Sequence, residues 1–220
     1  MVSVAIDGPA GAGKSTIARR AAKELGFTYV DTGALYRAIG LFCTDNGVDV
    51  SNSEEVIKIL PGINIRIIFT DGEQRVILNG KDVSKEIRTE KASMTASIVS
   101  AIPGVRSFLL ELQRSFAKSA NVIMDGRDIG TVVLPDADVK IFLTASPESR
   151  ADRRTKQLAA KGTIADYNDV LSDIIKRDYN DSHRDTAPLK PAEDSIIVDT
   201  TELTLRQSIK RITDIIREKL

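Results

Sequence analysis

The stretch that most constrains this chain is Val4–Ser15, "VAIDGPAGAGKS". A short apolar run enters a loop with three glycines, and the helical run "KSTIARRAAKELG" leaves it. Gly8 to Ser15 matches G-x-x-x-x-G-K-[ST]. In that pattern backbone N–H groups turn inward around phosphate oxygens, and the helix N-terminus adds its positive dipole end. The residues that would hold a triphosphate are Gly8, Pro9, Ala10, Gly11, Ala12, Gly13, Lys14, Ser15 and Thr16. Lys14 would reach the β- and γ-phosphates, and the Ser15 hydroxyl would sit on Mg²⁺. The competing reading is a Gly-rich turn without a ligand; the strand before it and the helix after it make that the weaker one. A nucleoside triphosphate is the expected ligand.

The rest of the chain agrees with this start. "FTYVD" is a second strand run and "GALYRAIGLFCTDNG" a second helix ending at Asn46–Gly47, while "NVIMD", "DVKIFLTA" and "SIIVD" add three more strand runs. Such alternation predicts an α/β three-layer sandwich with a central parallel sheet of about five strands. Residues 63–83 break the pattern. "INIRIIFT", "EQRVILN" and "KDV" are short β-branched runs split by Asp71–Gly72 and Asn79–Gly80, both hairpin dipeptides. They predict a small antiparallel lobe inserted into the scaffold. The pattern turns helical from Thr89 to Ala120, with Pro103 opening the better-defined helix. Further helices are expected over "PESRADRRTKQLAAKG", through Arg177, and from Thr204 onward.

Composition narrows the function classes. Lys+Arg 31 balances Asp+Glu 31, which argues against nucleic-acid and membrane-surface binding. Cys43 is the only cysteine, so an internal disulfide and a multi-cysteine metal site are excluded. It lies in an apolar helical run and is expected to be a buried structural thiol. No signal-type segment opens the chain and no apolar run spans a bilayer. A cytoplasmic protein is expected, as one domain with an inserted lobe.

A phosphate loop alone does not fix the fate of the γ-phosphate. A GTPase switch needs D-x-x-G and N-K-x-D and an ABC ATPase L-S-G-G-Q; the sequence has none of these. It has arginines near element ends and in charged helices: Arg37, Arg106, Arg127, Arg150, Arg153, Arg154, Arg177 and Arg184. Phosphoryl transfer between small molecules needs positioning and cationic stabilisation, which arginine forks supply. A solvated helix face is the bland reading for any one of them alone. The oddest stretch is "MDGRDIGTVV", where an apolar strand ends in Asp125, Arg127 and Asp128.

Five segments in this order, "IDGPAGAGKST", "DTGALYR", "IPGVR", "DGRDIGTVV" and "KRDYNDSHRDTAPL", resemble the bacterial cytidylate kinase family of nucleoside monophosphate kinases. The resemblance covers nearly the whole chain and implies phosphoryl transfer from ATP to CMP and dCMP, with Mg²⁺, in pyrimidine nucleotide metabolism. It also implies a core over 1–60, 100–148 and 186–220, a monophosphate-binding insert over about 61–99 and a lid over about 149–168. A monomer acting on small molecules is expected.

The resemblance further implies roles residue by residue. Arg37, Arg127 and Arg177 would hold the acceptor phosphate. Ser97, Arg106 and Asp128 would face the cytosine, Thr32 would lie near the same nucleotide, and Asp181 and Arg184 would hold the ribose. Asp125 would hold water on Mg²⁺ beside Ser15. Lys14, Asp125, Arg127 and Arg177 would form the catalytic set. Arg150, Arg153 and Arg154 suit a lid over the ATP phosphates, since at i, i+3 and i+4 they share a helix face and can converge on one anion; a charged exposed helix is the alternative. Asp128 has two readings, a base contact or an ion pair that shapes its loop. Thr32 stands where the family usually has Ser, and Asn180 where some relatives have Arg. His183, the only histidine, is read as a bystander. The rival functions are a kinase for UMP, AMP or a hydroxy acid, and a nucleotide-sensing module without turnover.

Overall fold

The computed structural model describes residues 1–220 except Asp71 and Lys161. The first residue of the expected Asp71–Gly72 turn and one residue of the expected lid therefore lie outside the described residues. In chain order the elements are β1 Ser3–Asp7, α1 Lys14–Leu25, β2 Thr28–Asp31, α2 Gly33–Asp45, α3 Ser53–Ile59, β3 Ile65–Thr70, β4 Glu73–Leu78 and β5 Lys81–Asp82. There follow α4 Glu90–Val99, α5 Pro103–Ser119, β6 Val122–Gly126, β7 Val139–Thr144, α6 Pro147–Ala159, α7 Tyr167–His183, β8 Ile196–Asp199 and α8 Leu205–Lys219.

Five strands form one parallel sheet in the order β2-β6-β1-β7-β8. β1 and β6 are central and covered on both faces, which is why "VAI" and "VIM" are unbroken apolar runs. α1 and α8 pack against the sheet through Ile17, Ala21, Ile212 and Ile216. From β1 the chain moves to one side, toward β2, and from β7 to the other, toward β8. In such sheets ligands lie beyond the strands' C-terminal ends, where the connections diverge. Those ends here are Asp7, Asp31, Gly126, Thr144 and Asp199.

The break at 63–83 is a separate antiparallel sheet, β3-β4-β5. Asn79 and Gly80 both take positive φ, 48° and 87°, as a two-residue hairpin turn requires. Val76 and Leu78 of this sheet join Leu35 and Ile39 of α2 and Leu109 of α5 in one apolar cluster.

Three features differ from the sequence expectation. The short α3, capped by the Asn52 side chain, has one buried residue, Val56, too few to show a helical period. α7 does not stop at Arg177 but continues to His183, putting Arg177 and Asp181 on successive turns of one helix. After Gly126 the chain enters a π-helical turn, Ile129–Val133. Cys43 is buried, as expected. Among the described residues no single helix is long and apolar enough to cross a membrane.

Candidate active site

The glycine-rich loop joins β1 to α1. Gly8 has φ +147°, and a Cβ there would lie 1.9 Å from the Leu143 carbonyl oxygen of β7. Only glycine lets the chain leave β1 against β7. Gly11 and Gly13 are left-handed, φ +74° and +88°, so the loop curls back over the start of α1. Lys14 opens that helix and is buried; its Nζ donates to the carbonyls of Gly8 and Pro9, 2.7 Å each. Burial, then the Arg127 guanidinium, push its pKa down. Lys14 is thus built into the packing of the loop.

Asp125 stands next to this loop. Register pairs it with Ile6 of β1 and with Asp31 of β2. Its Oδ2 accepts from the Ser15 hydroxyl at 2.8 Å and its Oδ1 from the Tyr29 hydroxyl at 2.7 Å. The Thr32 hydroxyl donates to its backbone carbonyl at 2.8 Å. Burial, then the Asp31 carboxylate, raise its pKa. Gly126 follows without a side chain because a Cβ would meet Ile129 at 2.6 Å and the Thr32 hydroxyl at 2.9 Å.

Near these carboxylates lies a cluster of arginines. Arg37 Nη2 donates to Asp31 at 2.7 Å and Arg127 Nε to Asp181 at 2.8 Å. Arg177 of α7 lies within reach of both their charges. Burial, then Arg127 and, after Asp181 in the opposing sense, Arg37, lower its pKa to about 10. The Nε atoms of Arg37 and Arg177 are buried without a hydrogen-bond partner. Burial pushes the Asp181 carboxyl up, but Arg127, Arg177 and Arg184 outweigh it and hold it low. A place where guanidinia crowd one another and keep unused donors is built for an anion.

Arg106, which is buried, pairs with Asp128 Oδ2, donates to the Ser100 carbonyl at 3.1 Å and lies 5.7 Å from the Tyr36 ring centre. The ion pair is therefore present, as the second reading of Asp128 has it. The other oxygen, Oδ1, faces Arg184 at 3.9 Å, too far for a hydrogen bond. Arg184 donates through Nε and Nη2 to the Ala187 carbonyl at 2.8 and 2.5 Å. Ser97 is half-buried on α4. His183 is exposed and stacks on Tyr179 with ring centres 4.0 Å apart.

The three arginines of α6 do not converge in this structure. Arg150 is buried and reaches the Ala145 carbonyl at 2.9 Å, the Ala10 carbonyl at 3.0 Å and both oxygens of Asp178 at 3.0 and 2.6 Å. Arg153 bonds Thr200 beyond β8, and Arg154 pairs with Glu90 at the start of α4. Sharing a helix face brings the Cβ atoms together, but these side chains are long enough to part toward separate acceptors. Beside Arg150 a cavity of about 440 Å³ opens between Pro9, Ala145, Asp178, Leu189 and Thr201.

Sequence reasoning missed the partners: Asp7, Tyr29, Asp31, Tyr36 and Asp178. Asp7 and Asp31 had a signal, a lone carboxylate closing an apolar strand run. Asp178, beside Arg177, had none.

A phosphate loop on a parallel sheet, a carboxylate one strand away and a cluster of arginines define a P-loop phosphotransferase. The family model described as cytidylate kinase matches residues 4–218, and the chain belongs to that family. A cytidylate kinase from Lactobacillus johnsonii is 50% identical over 219 residues, covering 100% of this chain and 95% of that one. Another, from Caldanaerobacter subterraneus subsp. tengcongensis, is 51% identical over 217 residues, covering 99% and 95%. A distant likeness is to a shikimate kinase from Bacteroides thetaiotaomicron, with a TM-score of 0.49 and 14% identity over 98% of each chain.

Proposed function

We propose that the protein transfers the γ-phosphoryl group of ATP to CMP, and to dCMP, giving ADP and CDP or dCDP, a step of pyrimidine nucleotide metabolism. The observation that carries this reading is the Arg37–Arg127–Arg177 cluster, with two buried unpaired Nε donors and a guanidinium pushed to about 10. A dianionic acceptor phosphate supplies the missing acceptors and counter-charge, and planar forks bind it better than ammonium groups would.

On the donor side, residues 8–16 hold the ATP phosphates, and the cavity between Pro9 and Thr201 takes the base. Lys14 serves the β/γ-phosphates by exchanging its loop carbonyls for phosphate oxygens. Ser15 and Asp125 offer hard oxygen donors of the kind Mg²⁺ takes beside substrate phosphates, and they fit that ion, Asp125 through water. Bound there, Mg²⁺ would neutralise charge developing on the transferring group. Arg150 braces the loop from its present place. Arg153 and Arg154 join the phosphates when the lid, 149–168, closes and excludes water.

On the acceptor side the insert, 61–99, closes over CMP against the core, 1–60, 100–148 and 186–220. Asp128 Oδ1 accepts from the cytosine amino group, with Arg106 and Ser97 on the other polar edges and Thr32 near the same nucleotide. Asp181 holds Arg127 through Oδ2 and keeps Oδ1 for a ribose hydroxyl, with Arg184 beside it. The protein works as a monomer in the cytoplasm.

The test is ADP release from Mg-ATP with CMP, dCMP, UMP, AMP and a hydroxy acid as acceptors. CMP and dCMP should have the highest kcat/KM. A different acceptor outrunning CMP, or tight ATP binding without turnover on any acceptor, would overturn the reading.

A further inference from the structure

Asp7 is a carboxylate that the phosphoryl-transfer scheme does not use. It ends β1, is 4% exposed, and is followed directly by Gly8 of the phosphate loop. Its two oxygens accept the backbone N–H groups of Ile129 and Gly130, each at 2.7 Å. These donors are 122 and 123 residues away in sequence and open the π-helical turn directly after Arg127 and Asp128.

The geometry leaves little slack at either end of this bridge. On one side β1 is fixed, because the Gly8 backbone lies flush against Leu143. On the other, the Asp128 carbonyl accepts from Val132 and Val133 at 2.9 and 3.2 Å, so the turn and Asp128 move together. A Cβ on Gly130 would lie 3.4 Å from Asp7 Oδ2 and 3.3 Å from the Lys140 side chain, so this contact also depends on the glycine. Asp128 itself sits at φ −148°, ψ 27°, outside both helix and strand geometry, and needs outside support to hold its direction.

We propose that Asp7 is a positioning residue: its two-pronged bond to Ile129 and Gly130 sets the place of Arg127 and Asp128 relative to the phosphate loop, and so tunes acceptor recognition from the donor side. The proposal rests on the reading of Arg127 and Asp128 given above. Ionised carboxylate is the one state of this side chain that accepts both N–H groups equally; an amide of the same volume accepts one and turns its NH₂ toward the other. Burial works against that ionised state, raising the pKa to about 6 against the pull of the two backbone bonds.

Asp7→Asn is the test, with three measurements: kcat/KM for CMP, kcat/KM for UMP, and ATP affinity by calorimetry without acceptor. The expected result is a loss of roughly tenfold in CMP efficiency, the scale of one charge-assisted hydrogen bond. The CMP/UMP ratio should narrow, and ATP affinity should stay within about twofold. Equal losses in ATP affinity and CMP use would make Asp7 a support of the phosphate loop alone and overturn the proposal. Unchanged CMP use would also overturn it. If the Asn variant does not fold, Asp7→Ala, which removes both acceptors, is measured by the same criteria. A wild-type enzyme that does not favour CMP is a different outcome: it removes the reading of Arg127 and Asp128 before the variant is compared.

Discussion

The Ser15 hydroxyl and the Asp125 carboxylate meet at 2.8 Å, joining the first turn of α1 to the end of β6. If these two oxygens serve Mg²⁺ as proposed, one at the phosphate loop and one through water a strand away, turnover should depend on that ion. Chelation should abolish turnover and Mg²⁺ restore it. Asp125→Asn keeps the bonds from Ser15 or Tyr29 in part but removes the charge, so the Mg²⁺ concentration for half-maximal rate should rise about tenfold or more, the second-shell scale. An unchanged Mg²⁺ dependence in a folded variant would remove Asp125 from the metal site.

Arg177 should be worth more to function than to stability. It is half-buried, close enough to the like charges of Arg127 and Arg37 to feel both, and its buried Nε has no partner. Replacing it by Met removes a desolvated charge from a like-charged cluster, so the melting temperature should hold or rise. CMP efficiency should fall by roughly a hundredfold or more while ATP affinity without CMP is kept, since a buried charged bond to an anion is worth several kcal/mol. Arg177→Lys should not rescue it, because an ammonium cannot reproduce the fork. Parallel loss of ATP binding would move Arg177 to the donor side.

Asp7 gives the pH expectation. Its folded pKa is about 6, above the ordinary 3.8, with burial the main cause and Asp128 and Lys14 the charged neighbours on opposite sides of the balance. Between these values the folded protein holds a proton that the unfolded chain has released. Asp7's contribution is therefore full below about pH 4 and is lost as pH rises through about 6, by on the order of 3 kcal/mol. Asp7→Asn cannot titrate, so its stability in urea should gain on wild type as pH rises from 4 to 7. A constant difference across that range would contradict this.

The parallel sheet, the phosphate loop and the inserted lobe were legible because each is a local pattern. A strand run before glycines, and Asn79–Gly80 between β-branched runs, carry their geometry in neighbouring residues. Who pairs with whom was not legible. Asp7 finds Ile129 and Gly130, Arg150 finds Asp178, and Arg154 finds Glu90 only after distant elements pack. The extension of α7 past Arg177 was hidden for another reason: "DYNDSH" is polar and has no apolar period, yet Asp181 in it is buried because an arginine meets it.

The central claim is that Asp128, through the oxygen not held by Arg106, reads the acceptor base. Cytosine offers an amino group there and uracil a carbonyl, so a carboxylate favours the first and an asparagine can serve the second. The decisive measurement is kcat/KM for CMP and for UMP, side by side, in the wild type and in Asp128→Asn. The expected result is a CMP preference in the wild type that narrows in the variant by about ten- to a hundredfold, the worth of about 1–3 kcal/mol, with CMP losing and UMP gaining. A fall of both acceptors by the same factor would contradict the claim and leave Asp128 as the partner of Arg106 alone.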